Sequence, residues 1–236
     1  MFELSKYQPS ELYKYSNFTN FQTQNNMLRD IRKQYEYSAL NENEADQNPF
    51  NQFEVWLQTA VNSDELEPTA MIVSTVDSNL QPHSRVVLLK DFNSDGLVFY
   101  TNYEGAKARE IEGNNQVSVV FFWQTLERQI RITGKVAKLS ESVSENYFKS
   151  RPLDSQLGAW ASPQSQEIPS AEFLDERFRA FQQQFSENVP KPPHWGGYLI
   201  RPESFEFWQG RPNRLHDRLY YAKAENNTWK ISRLAP

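Results

Sequence analysis

From residue 69 onward the chain breaks into short runs of β-branched and aromatic residues separated by turn chemistry, and this constrains its fold most. TAMIVSTV (69–76), SRVVLLK (84–90), LVFYT (97–101), VSVVFFW (117–123) and RQIRITGKVAKL (128–139) read as strands. DSNLQP at 77–82 and DFNSDG at 91–96 supply turns between the first of them. Strand-like pieces return at 198–201, 204–208, 214–222 and 228–232, and helical stretches are expected at 104–112, 141–151 and 171–187. Many short strands with a few interposed helices predict a mainly β chain: an antiparallel barrel with flanking helices.

The first 68 residues behave differently. Residues 1–26 are polar and aromatic without periodicity and read as an N-terminal extension. Leu28, Ile31, Tyr35 and Ala39 predict a short helix over 27–40, and Phe50, Phe53, Trp56, Leu57 and Ala60 predict a second over 50–62. Neither a repeat nor a Pro/Gly linker divides 27–236, so a single domain is expected there. The start lacks the apolar stretch of a signal peptide, and the longest apolar run, Val117 to Trp123, is far short of the ~20 residues that span a bilayer. A soluble, cytoplasmic protein without membrane partners is the expectation.

Composition narrows the chemistry. The chain has no cysteine, which excludes disulfides, thiolate nucleophiles and Cys-ligated metals, and its three histidines (His83, His194, His216) are scattered, so no metal site is expected. A net charge of −5 argues against nucleic-acid binding by bulk charge. Yet residues 192–236 hold 7 basic against 4 acidic residues, which suggests a localised anionic ligand. With 8 glycines and no Walker A, G-x-G-x-x-G or H-E-x-x-H motif, a bound phosphate would be held by side chains.

Three constellations suit an anion. Arg85 to Lys90 is an apolar strand with a cation at each end; strand parity sends the two to opposite faces unless the strand stops near Lys90, and a core strand with solvated ends is the alternative. Tyr147, Arg151 and Ser155, four apart, would line one helix face as a phosphate-binding set, but Pro152 interrupts that helix, and a solvated helix end reads equally well. In a strand, Arg214, His216 and Arg218 would share one face, a grouping that is costly without an anion, the alternative being a solvated strand face. An HD-type metal site at His216–Asp217 lacks further histidines, and a Ser-His-Asp triad lacks the G-x-S-x-G elbow.

Taken together, RVVLLK (85–90), VFYTN (98–102), LERQIRITG (126–134), YFKSRPLDSQLGAWASPQS (147–165), WGGY (195–198), EFWQGRPNRLHDR (206–218) and WKISRLAP (229–236) resemble the pyridoxine/pyridoxamine 5'-phosphate oxidases, flavoproteins of the FMN-binding split-barrel class. The resemblance runs from about residue 27 to Pro236. It implies an FMN site bordered by Arg85, Val86, Val87, Leu88, Leu89 and Lys90 and completed by Tyr100, Thr101, Lys107, Gln129, Gln164, Ser165, Trp208 and Arg218. It implies substrate phosphate contacts at Lys90, Tyr147, Arg151 and Ser155. Arg214 and His216, with Leu215 between them, would lie at the pyridine ring as the catalytic pair, and Arg32 and Tyr35 in a covering N-terminal segment.

The implied reaction oxidises pyridoxine or pyridoxamine 5'-phosphate to pyridoxal 5'-phosphate in a homodimer with FMN at the subunit interface, dioxygen as acceptor and hydrogen peroxide as product. Two positions depart from the family pattern. Gly105-Ala106-Lys107 stands where Ser-Arg-Lys is usual, so a phosphate-binding arginine is replaced by Ala106, with Lys107 or Arg109 as candidate substitutes; Glu67 stands in place of an aspartate. The alternatives are a split-barrel flavin reductase with another substrate and a non-catalytic pyridoxal phosphate carrier or sensor.

Overall fold

The computed structural model describes residues 31, 33–226 and 228–236. Contacts divide the chain into a leading unit, Met1–Tyr35, and a main unit, Glu36–Pro236. Within the leading unit the Lys33 ammonium lies 5.9 Å from the centre of the Tyr35 ring. The expected extension over 1–26 lies outside the described residues, as do 27–30 and 32. Across 33–40 the helix expected from the apolar spacing does not form. Distant carboxylates take the backbone donors that a helix would use internally: Glu127 accepts from Glu36 N (2.8 Å) and Tyr37 N (3.0 Å), and Asp217 accepts from Leu40 N (3.0 Å).

Helix α1 (Pro49–Val61) forms where periodicity placed it. Asn48 caps it by accepting from Phe50 N, Pro49 occupies its first turn, and Phe53, Trp56, Leu57 and Ala60 are buried. The strands are β1 (Ala70–Val76), β2 (Pro82–Leu88), β3 (Asp91–Asn93), β4 (Gly96–Asn102), β5 (Gln116–Trp123), β6 (Arg128–Lys138), β7 (Trp195–Gln209), β8 (Asp217–Lys223) and β9 (Trp229–Arg233). Between them lie α2 (Ala106–Gly113), α3 (Glu141–Ser150), α4 (Leu153–Ala161) and α5 (Ala171–Phe185).

All pairings are antiparallel, in the order β2-β1-β5-β6-β7-β4-β3, with β8 on β7 and β9 on β8. The run 82–93 supplies both ends of that order, β2 pairing with β1 and β3 with β4. Lys90 N–H donates to Val98 O at 2.9 Å where one passes into the other, so the sheet curls to meet itself. This is the antiparallel barrel with flanking helices that the strand pattern predicted.

The pieces expected at 198–201 and 204–208 are one strand. β7 runs for 15 residues, pairing with β6 along Tyr198–Gln209, with β4 along Trp195–Ile200 and with β8 along Ser204–Gln209. Pro202 is accommodated by a register shift opposite Thr133 and Gly134. Gly134 is required there, since a Cβ would sit 2.2 Å from Arg201 O.

Strand β5 alternates cleanly, with Val117, Val119, Phe121 and Trp123 inward. Those side chains meet Phe53, Trp56, Phe99, Phe205, Phe207 and Tyr221 in the main core. A second cluster around Phe148, Leu157, Val189 and Trp195 binds α3, α4 and α5 to the barrel.

Candidate functional site

A cavity of about 510 Å³ opens between the β2 edge, β4, α2 and the α3–α4 corner. Arg85, Val86, Val87, Leu88 and Lys90 all line it. Side chains of both parities reach it because β2 pairs only with β1 and turns its other edge to the cavity, and because the strand stops at Leu88, which frees Lys90 from strand parity. Leu89 turns into the core instead, with its N–H on Thr69 O.

The opposite wall holds Tyr147, Arg151 and Ser155, although no single helix carries them. α3 ends at Ser150, Arg151 is its C-cap, and Pro152 starts α4, which bears Ser155 in its first turn. The corner keeps all three on the cavity. Tyr147 stacks on Tyr100 at 3.8 Å between centroids, and Tyr100 stacks on Trp195 at 5.4 Å. The Arg151 guanidinium lies over the Trp195 ring at 4.7 Å, and its Nη1 is buried without a hydrogen-bond partner. An orphan buried guanidinium nitrogen is costly unless an anion meets it. Burial raises the pKa of both tyrosines, so they remain phenols at neutral pH.

At the cavity floor, buried Lys107 donates to Gln164 Oε1 (2.6 Å) and Thr101 Oγ1 (3.0 Å). Since an ammonium only donates, the Gln164 oxygen must face it, which leaves the Gln164 amide N–H groups as donors toward the cavity. Burial, and then the charge of Arg85, push Lys107 below its usual value. Arg85 is committed elsewhere: it pairs with Glu110 at 2.8 Å and donates to Thr75 and to His83 O. Burial pushes the Glu110 carboxyl up, but bonds from Thr75 and Arg85 overcome this and hold it below the carboxylate range. Ala106 and Arg109 line a separate hollow of about 270 Å³ with Asp77 and Glu110. Of the two cations suggested as substitutes for the missing arginine, Lys107 is therefore the one on the main cavity. Glu67 is exposed and accepts from Thr69 Oγ1.

Most of the remaining expected residues lie elsewhere in the main unit. Gln129, Trp208 and Arg218 are cross-strand neighbours on β6, β7 and β8. Arg214 does not share their strand: β8 begins only at Asp217, and Arg214 closes a 3₁₀ turn (Pro212–Arg214) with φ 63°. The expected common face of Arg214, His216 and Arg218 is thus replaced by a tight turn followed by a strand. His216 packs against Trp208 at 4.7 Å, and its Nδ1 accepts from Arg211 N at 3.1 Å, so the neutral ring carries its proton on Nε2. Burial, and then Arg214, lower the His216 pKa against the opposing charge of Asp217. Leu215 is exposed. Ser165 is exposed beside Gln164, Tyr35 belongs to the leading unit, and Arg32 lies outside the described residues.

Asn102, Gly158, Ala159, Ser162 and Trp195 also line the cavity. None was singled out from the sequence, although the α4 residues continue the face of Ser155 at helical spacing. Among the described residues no group of three or more His, Cys, Asp or Glu could hold a metal, and no helix is long and apolar enough to cross a membrane.

Residues 57–185 match the family model described as pyridoxamine 5'-phosphate oxidase. The chain belongs to that family. Residues 195–236 match a second model, the pyridoxine 5'-phosphate oxidase C-terminal dimerisation region. Curated relatives named pyridoxine/pyridoxamine 5'-phosphate oxidase include those of Gloeothece citriformis (49% identical, covering 89% of this chain and 98% of the relative) and Acidovorax sp. (50% identical, 89% and 96%). Among solved structures, PhzG from Burkholderia lata, in complex with tetrahydrophenazine-1-carboxylic acid, superposes with a TM-score of 0.81 at 27% identity, covering 86% of this chain and all of its own. A pyridoxamine 5'-phosphate oxidase-related, FMN-binding protein from Nostoc punctiforme shares the fold at 16% identity and a TM-score of 0.65, covering 81% of this chain and all of its own. The split-barrel family expected from the motifs is therefore the observed one.

Proposed function

We propose that this chain oxidises pyridoxine and pyridoxamine 5'-phosphate to pyridoxal 5'-phosphate, using FMN and dioxygen, as a homodimer. The observation that carries this reading is the convergence of Lys90, Tyr147, Arg151 and Ser155 on one cavity, with Arg151 Nη1 buried and unpartnered. Two cations and two hydroxyls make a phosphate handle, and binding energy spent on that remote group orients the reacting carbon. The names of relatives near 49% identity support the same substrates.

The residues present fit a flavin nucleotide. Val86, Val87 and Leu88 give an apolar border for a flat ring, and Lys107, Thr101 and Gln164 gather a cation and donors at one end. When bound, FMN supplies the two-electron acceptor and returns the electrons to dioxygen. In the alcohol, the carbon gives up a hydride and the hydroxyl a proton, and these two electrons and two protons reduce dioxygen to hydrogen peroxide; the amine also consumes one water and releases ammonia. Lys90 and Arg151 neutralise the phosphate charge, and Tyr147 and Ser155 donate hydrogen bonds to it. Arg214 holds positive charge beside the pyridine ring, and His216 offers Nε2–H as a donor at neutral pH.

The cavity and the Arg214–His216 turn do not meet within the described part of one chain, and a second copy is proposed to join them. Support comes from the dimerisation-region match over 195–236 and from an outward sheet surface with exposed apolar residues. Val86 pairs with Ile72 and Phe122 with Gln129, so this surface runs from the cavity edge toward Trp208 and Arg218. To test the reading, purified protein is mixed with FMN, made anaerobic and given pyridoxine 5'-phosphate. Bleaching of the flavin that reverses on admitting air, with pyridoxal 5'-phosphate formed, is expected. FMN binding without bleaching would point to another substrate, and no FMN binding to a carrier.

A further inference from the structure

One cavity-lining residue has no explanation within the single chain. Gly158 sits inside α4, three residues after Ser155 and on the same face, and lines the cavity with Ala159 and Ser162. Proline aside, glycine is the residue least suited to a helix interior, because ordering its backbone costs the most freedom. Such a glycine is ordinarily needed where a Cβ would strike a neighbour. Gly134 is of that kind: its Cβ would lie 2.2 Å from the backbone Arg201 O. A Cβ on Gly158 meets no heavy atom within 4 Å. The space over the α4 backbone is open, and it opens into the cavity.

The surroundings indicate what the space suits. Arg151, with its unpartnered Nη1, and Ser155 mark an anion-binding end, and Gly158 lies about 4.5 Å further along the helix axis from Ser155. A phosphate ester held at that end with its ring running along α4 would place the ring over Gly158. We propose that Gly158 is a positioning residue: its bare backbone lets the ring of a phosphorylated planar heterocycle pack directly on α4. This rests on the reading of the cavity as a flavin and pyridoxine-phosphate site, and it adds which part of the wall sets the ring's position.

The test uses Gly158→Ala in the full-length chain, with Gly113→Ala for comparison. Gly113 also has no heavy atom within 4 Å of a built Cβ, but it ends α2 and does not line this cavity. FMN and pyridoxal 5'-phosphate are titrated separately into each protein, by flavin fluorescence and by absorbance, and ligand-free melting and sedimentation are recorded. Gly158→Ala should melt about 2–4 °C higher without ligand, yet bind one of the two ligands on the order of tenfold more weakly. Gly113→Ala should bind both as wild type does. The ligand that weakens identifies the ring on α4. Unchanged affinity for both overturns the proposal. So does loss of self-association at unchanged affinity, since the space would then serve a second chain. If wild type binds neither ligand, the parent reading fails and this inference falls with it, an outcome separable from failure at Gly158 alone.

Discussion

The cavity wall and the Arg214–His216 turn are both rich in cations, but they balance charge in opposite ways. At the turn the structural charges are paired. Glu206 accepts from Arg218 at 2.9 Å and from Arg131 at 3.1 Å, and Asp217 binds Arg233 at 2.7 Å and Leu40 N at 3.0 Å. Arg214 stands out from this network, with no ion pair among the described residues. In the cavity Arg85 is paired with Glu110, whereas Arg151 is half-buried on Trp195 with one nitrogen unsatisfied. Paired cations hold the fold, and Arg151 and Arg214, both outside those pairs, are the two proposed to meet the substrate. On that proposal, stability and function fall on different arginines in each region.

The largest expected effect separates the two leftover arginines by substrate. Arg151→Met should lower kcat/KM for pyridoxine 5'-phosphate by about 10²- to 10³-fold through loss of charge-assisted bonds, while hardly changing the weak turnover of unphosphorylated pyridoxine. Its melting temperature should hold or rise, because a buried orphan donor disappears. Arg214→Ala should slow both substrates about equally, by roughly 10²-fold, with the flavin retained. Equal sensitivity of the two variants to the phosphate would erase the distinction.

Whether the two regions make one site is tested by mixing. When unfolded Arg151→Met and Arg214→Ala chains are refolded together, a composite site between copies predicts recovery of about a quarter of wild-type activity. Half of the random dimers are mixed, and each mixed dimer has one intact site. A site within a single chain predicts no recovery.

Smaller effects fall on the paired charges. Glu206→Gln leaves Arg218 without its carboxylate and should cost about 2 kcal/mol, lowering the melting midpoint by roughly 4–8 °C with KM little changed. The smallest concerns pH. The His216 pKa is depressed in the folded state, so the unfolded chain binds the proton more readily and stability must fall as pH drops through the ordinary histidine value near 6.5. His216→Asn should flatten that part of the stability profile, measured by denaturant titration between pH 5 and 8.

Much of the barrel was legible because burial leaves a period-2 signature. Val117, Val119, Phe121 and Trp123 alternate in the sequence as they do in the core. The failures have particular causes. Across the described part of 27–40 the apolar spacing mimicked a helix, but the backbone donors of Glu36, Tyr37 and Leu40 found the carboxylates of Glu127 and Asp217, 91, 90 and 177 residues away. Pro202 made β7 look like two strands, since nothing local announces the register shift opposite Gly134 that absorbs it. At the site, the types and spacing of Tyr147, Arg151 and Ser155 were readable. Gly158 follows Ser155 at helical spacing, but the open space over it was not readable, nor was Trp195, because both follow from packing between segments far apart in sequence.

The sequence by itself determined the strand alternation, the absence of thiol chemistry and, through ordered motifs, the family. Those properties depend on residue type and on neighbours a few positions away. Only the tertiary structure decided which arginines are paired, that the α3–α4 corner keeps three separated side chains on one cavity, and that the Arg214 turn lies apart from it. Each of these depends on where long-range hydrogen bonds and chain closure place residues in space, and local periodicity carries no information about that.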